Sequence, residues 1–134
     1  MIENPTYSFL DVRTALEASW DEHTSHGAVK ESGNPALGQC YPTSRVVQHF
    51  FPDMEIIEGK VRNGKETETH YWNGLTVGGV LYHVDLTWQQ FPSGSSVSEF
   101  EILDRDTLGD SESSAKRFEL LLRRVTEYLK QRSI

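Results

Sequence analysis

The chain has 134 residues and a mass of 15.3 kDa, enough for one domain with one core of useful size. Its formal net charge of −7 excludes the concentrated basic face that a nucleic-acid backbone or an anionic membrane requires. The one cysteine excludes an internal disulfide and a cysteine-based zinc cluster. No signal peptide and no long apolar run is present, so a single domain over residues 1–134 in a reducing, cytoplasmic compartment is expected.

Residues 7–20 place Phe9, Val12, Leu16 and Trp20 three and four apart, which predicts an amphipathic helix. Thr6 or Ser8 supplies its N-cap. Residues 21–38 are polar and contain the turn sequence Gly33-Asn34-Pro35, which predicts a long irregular loop suited to binding. His23 and His26 stand i, i+3 there and, with His83, form the only histidine set worth weighing for a metal. No second local pair of ligands follows, so no metal or other cofactor is expected.

Gly38-Gln39-Cys40-Tyr41-Pro42 then opens a second helix, which carries Val46, Val47 and Phe50 on one face. Pro42 fits its first turn, and Phe51-Pro52 ends it. Cys40 therefore stands at a helix start, where unpaired backbone N–H groups favour a thiolate.

Residues 54–61 predict a strand, Arg62-Asn63-Gly64-Lys65 a hairpin turn, and 66–73 and 80–87 two further strands. Residues 97–113 are polar and show no period that assigns them. Residues 114–131 place Phe118, Leu121, Leu122, Val125, Tyr128 and Leu129 on one stripe, which predicts a C-terminal helix. The fold class is α+β: a Cys-bearing helix packed on a small antiparallel sheet, with N- and C-terminal helices.

Side chains alternate along a strand, so Val80, Tyr82, Val84 and Leu86 form an apolar face toward the core. Leu81, His83, Asp85 and Thr87 form the other, mostly polar face. A turn centred on Val77-Gly78 sets His70 opposite Asp85 and Trp72 opposite His83. A turn centred one residue earlier sets His70 opposite His83, with Asp85 as the diagonal neighbour. Either register brings an imidazole to a carboxylate.

The resulting set is Cys40 as nucleophile, His70 as its proton partner and Asp85 orienting the imidazole, with His83 the rival to His70. The backbone N–H of Cys40 offers one oxyanion donor, and a side-chain amide of Gln39, Asn34 or Gln89 offers a second. Trp72 and Trp88 are candidates to wall a substrate groove.

These residues carry a resemblance. A Cys opening a helix, then His70 on a strand and Asp85 on the next, resembles the papain-like and transglutaminase-like cysteine fold. Thr69-His70-Tyr71-Trp72-Asn73, Gly79 and Val84-Asp85-Leu86-Thr87-Trp88-Gln89-Gln90-Phe91 look like its His-x-Trp, Gly and Asp-x-Thr-x-x-Gln-Phe hairpin. The whole chain also resembles the small bacterial YunG-like proteins, which have no established activity. The resemblance implies a Cys40-His70-Asp85 triad and a thioester step on an amide or peptide-like bond of a small-molecule, peptide or protein substrate. Hydrolysis, deamidation and transamidation share that step. The alternative is a non-catalytic binding module that uses the 21–38 loop and the tryptophans to hold a partner.

Overall fold

A computed structural model describes residues 7–25 and 38–132. The elements run α1 (Phe9–Ser19), α2 (Cys40–Phe50), β1 (Glu55–Asn63), β2 (Glu66–Val77), β3 (Val80–Val84), β4 (Ser96–Ile102) and α3 (Glu112–Arg132). Short 3-10 turns occupy Trp88–Gln90 and Arg105–Thr107. The class is α+β. Asn34 and His26 lie outside the described residues, as does most of the 21–38 loop.

α1 begins at Ser8, whose hydroxyl accepts the Asp11 N–H at 3.0 Å while the Asp11 carboxylate accepts the Ser8 N–H at 3.1 Å. This reciprocal cap satisfies donors that a helix start leaves open. Trp20 ends α1, and its indole N–H donates to Thr43 Oγ1 at 2.9 Å, tying α1 to α2. Val12, Ala15 and Leu16 of α1 pack with Val46 and Val47 of α2 and with Leu121, Val125 and Leu129 of α3. Burial of each larger aliphatic contributes about 1.5–3 kcal/mol, which outweighs exposed ion pairs such as Glu112–Lys116.

The four strands form one antiparallel sheet in the order β3-β2-β1-β4. α2 is fixed to one face of it. Buried Asn73 of β2 donates its amide hydrogens to Ser44 O of α2 at 3.1 Å and to Glu55 O of β1 at 3.3 Å. On the other face the sheet curls. Phe100 of β4 reaches Trp72 at 6.1 Å and His83 of β3 at 5.0 Å between ring centroids, so side chains of the two edge strands touch. Trp72 fills the curl and lies directly over Gly59, where a Cβ would come within 2.3 Å of the indole.

Three expectations need correction. First, residues 96–102 are a strand. The ladder slips between Lys60 and Val61, which pair with Glu99 and Val97 and leave Ser98 over. That bulge separates Val97 from Phe100 by three residues and hides the period of two. Second, β2 runs on to Val77, and the turn is Gly78-Gly79, so Val77 pairs with Val80 and Asn73 with Val84. Neither expected register occurs. Third, Val80 and Tyr82 are more than half exposed, because the hairpin tip extends beyond the helices. Of that expected apolar face only Val84 and Leu86 pack against the core.

No helix among the described residues is long and apolar enough to cross a membrane.

Candidate active site

The turn into Cys40 requires glycine. Gly38 adopts φ +77°, a left-handed conformation that side chains with a Cβ resist. Cys40 follows as the first residue of α2, partly exposed. Helix starts leave backbone N–H groups without intrahelical partners, and Pro42 has none to offer. Cys40 and Tyr41 therefore carry the donors at this helix end. Gln39 provides no side-chain cap.

His70 comes from β2. Pairing with β3 stops at Asn73 and Val84, so the edge of β2 beyond Asn73 is open. The segment after β3 folds across that opening. His70 Nε2 lies 2.6 Å from Asp85 Oδ2. The other oxygen of Asp85 accepts the Thr87 N–H at 3.1 Å and approaches the Thr87 hydroxyl at 3.4 Å. The carboxylate is thus held at both oxygens. The imidazole stacks on Trp72 at 5.5 Å and meets the edges of Phe91 at 4.7 Å and Trp88 at 6.1 Å. It is fully buried within this aromatic surround.

With Nε2 committed to Asp85, Nδ1 is the ring nitrogen left for Cys40, which acts on the imidazole electrostatically. Burial opposes charge on His70. Hydrogen bonds and charge interactions with Asp85 and Cys40 prevail and push its pKa up to about 9. The imidazole therefore holds its proton at neutral pH.

A cavity of about 800 Å³ opens beside this cluster. Gly38, Cys40 and Gln90 line it together with residues of the 103–111 segment, Ser114 and Arg117. Tyr41 and Tyr71, also in the lining, pack edge to face at 4.8 Å between ring centroids. Tyr71 donates to Glu58 at 2.9 Å, and burial followed by this carboxylate pushes its pKa up to about 12. Tyr41 donates to Asp110, which also receives Arg45 at 3.0 Å. Asp110 thereby joins the first turns of α2 to the far wall of the cleft.

The remaining site candidates fall differently. Gln39 is buried and faces the turn after α1, where it donates to Asp21 O at 2.9 Å and accepts from Thr24 at 2.7 Å. It anchors the turn before Cys40 and does not line the cleft. Trp72 is buried beneath His70 instead of walling the cleft, and its indole N–H donates to His83 Nδ1 at 2.9 Å. That bond commits His83 to Trp72, and His70 is the imidazole that meets Cys40. Gln89 is exposed, whereas its neighbour Gln90 points inward. Sequence reasoning extended strand alternation past Val84, but the 3-10 turn at Trp88–Gln90 exchanges the two glutamines. The Asp-x-Thr-x-x-Gln spacing, which ends on Gln90, was the available signal. Tyr41, Tyr71 and Asp110 gave none, since only the tertiary fold brings them together. Among the described residues no group of three or more His, Cys, Asp or Glu is arranged to hold a metal ion.

An α+β chain with a helix-start cysteine against a buried His–Asp pair defines the class of site. Residues 8–130 match the family model described as YunG protein, and the chain belongs to that family. No curated protein and no solved structure matches it.

Proposed function

We propose that the protein is a cysteine-dependent acyl-transfer enzyme of the papain-like/transglutaminase-like type, acting on an amide or peptide-like bond. The observation that carries the reading is His70, bound to Asp85 at 2.6 Å and held protonated by Asp85 and Cys40 together, with Cys40 lining an 800 Å³ cleft. In the reaction, the Cys40 sulfur attacks the substrate carbonyl and the C=O electron pair moves to oxygen. Collapse of that intermediate expels the amine, which takes the His70 proton, and leaves a thioester. Water or a second amine then releases the acyl group, with His70 accepting the proton. Asp85 holds the ring in one orientation and favours its charged form. The reading requires no cofactor.

Thiol alkylation tests it. Cys40 is expected to react with iodoacetamide below pH 7 faster than a free thiol, and His70→Ala is expected to slow that reaction about tenfold. A wild-type rate no greater than that of a free thiol, unaffected by His70→Ala, removes the basis for the proposal. Trp20 and Trp72 are buried and offer the binding-module alternative no surface, which leaves it the partly exposed Trp88.

A further inference from the structure

We infer that Gln90 is the second oxyanion donor of this site, acting with the backbone N–H of Cys40. The inference rests on the acyl-transfer reading above. The amide orientation of Gln90 follows from its neighbours. Only its oxygen can accept the Gly38 N–H, at 3.2 Å, so its nitrogen faces Thr87 and His70. That nitrogen donates to Thr87 O at 3.1 Å and lies 3.3 Å from the Thr87 hydroxyl.

One amide hydrogen is thus used on the Thr87 side. The other has only long contacts, to the Thr87 hydroxyl at 3.3 Å and to His70 Nδ1 at 3.4 Å. Nδ1 is also the ring nitrogen that Asp85 leaves for Cys40. When it carries a proton it accepts nothing, and the Gln90 hydrogen is left facing the reacting centre. Gln90 and Cys40 both line the cleft, and Gly38, two residues before Cys40, donates its N–H to Gln90.

The helix start supplies the opposing donor. A carbonyl oxygen that becomes negative as the Cys40 sulfur adds to its carbon would sit between the Cys40 N–H and the Gln90 amide. Both donors are held before the reaction begins, one by α2 and the other by Gly38 and Thr87. Prior orientation is what makes such donors effective, because no reorganisation is needed as charge develops. Of the other amides named from the sequence, Asn34 lies outside the described residues and the remaining two do not offer this. Gln39 faces the protein interior, and Gln89 is exposed on the outer side of the 3-10 turn.

Two reactions of the same thiol separate an oxyanion role from a structural one. Acylation by p-nitrophenyl acetate passes through an oxyanion: the thiolate adds to the ester carbon, p-nitrophenolate leaves, and an acetyl thioester remains. Alkylation by iodoacetamide displaces iodide at a saturated carbon and forms no oxyanion. Gln90→Ala, and Gln90→Met as a variant of similar volume, should slow acylation about 10²-fold and leave alkylation unchanged. If both reactions slow in parallel, Gln90 only positions His70 and the inference is overturned. Undiminished acylation overturns it as well. A His70→Ala control distinguishes the underlying reading: if that variant changes neither rate, the Cys-His pairing itself has failed, whatever Gln90 does.

Discussion

His70 is an imidazole buried among aromatic rings, an environment that disfavours its charge, yet Asp85 and Cys40 hold the proton on it. A group whose pKa rises on folding stabilises the folded state while it stays protonated there. For His70 that stabilisation is complete below its ordinary value of 6.5 and is lost as pH rises through about 9. The melting temperature should therefore fall across that window. His70→Gln should flatten this part of the profile, because the titrating group is gone. Tyr71 acts in the same direction at higher pH, near 12, so it does not contribute to the slope below 9. Melting curves of both proteins at half-unit pH steps provide the measurement. A wild-type profile as flat as that of the variant would mean that the imidazole is uncharged.

At the scale of elements, His70 depends on the curl of the sheet. It rests on Trp72, and Trp72 rests on Gly59 of β1, where the ring leaves no room for a Cβ. A methyl there would lie 2.3 Å from the indole and 2.9 Å from the Glu99 carbonyl. Gly59→Ala should therefore destabilise the fold by about 1–3 kcal/mol through overpacking. It should also tilt the ring under His70 and slow Cys40 alkylation. Urea unfolding followed by tryptophan fluorescence measures the first effect, and iodoacetamide kinetics measure the second. An unchanged stability would show that Trp72 has space to move. This dependence was not legible in the sequence, since Gly59 read only as a residue within a strand. The helices were legible, because Leu16, Val47, Leu121 and Val125 recur at helical spacing and local pattern is enough to assign them. The meeting of His70 with Asp85 was legible in spite of a wrong register, because diagonal neighbours on a hairpin still come within reach. β4 was not, and Gln90 was marked only by the Asp-x-Thr-x-x-Gln spacing, for one physical reason. A bulge in the first case and a 3-10 turn in the second break the alternation on which strand reading relies.

At the scale of the molecule, the distribution of charge along the cleft bears on what reaches Cys40. Glu58, Glu68, Asp104 and Asp110 line it, against Arg117. Arg45 offsets Asp110 by pairing with it at 3.0 Å, which leaves Glu58, Glu68 and Asp104 as the excess. The chain as a whole adds a net charge of −7. A concave site with low-dielectric walls concentrates such a field, so cations should accumulate at the thiol and anions should be repelled. Methanethiosulfonate reagents of opposite charge measure this without requiring any catalytic activity. The trimethylammonium-ethyl reagent should modify Cys40 about tenfold faster than the sulfonato-ethyl reagent at low salt, after each rate is divided by that of a free thiol. Raising the ionic strength to about 1 M, where the screening length falls to roughly 3 Å, should reduce the preference. Glu68→Gln with Asp104→Asn should reduce it at low salt too, while leaving the rate with neutral iodoacetamide unchanged. A preference for the anion, or none at all, would mean that Arg117 and the helix start dominate the field at the sulfur. The cleft would then suit a neutral or acidic substrate instead of one bearing an amine or guanidinium group.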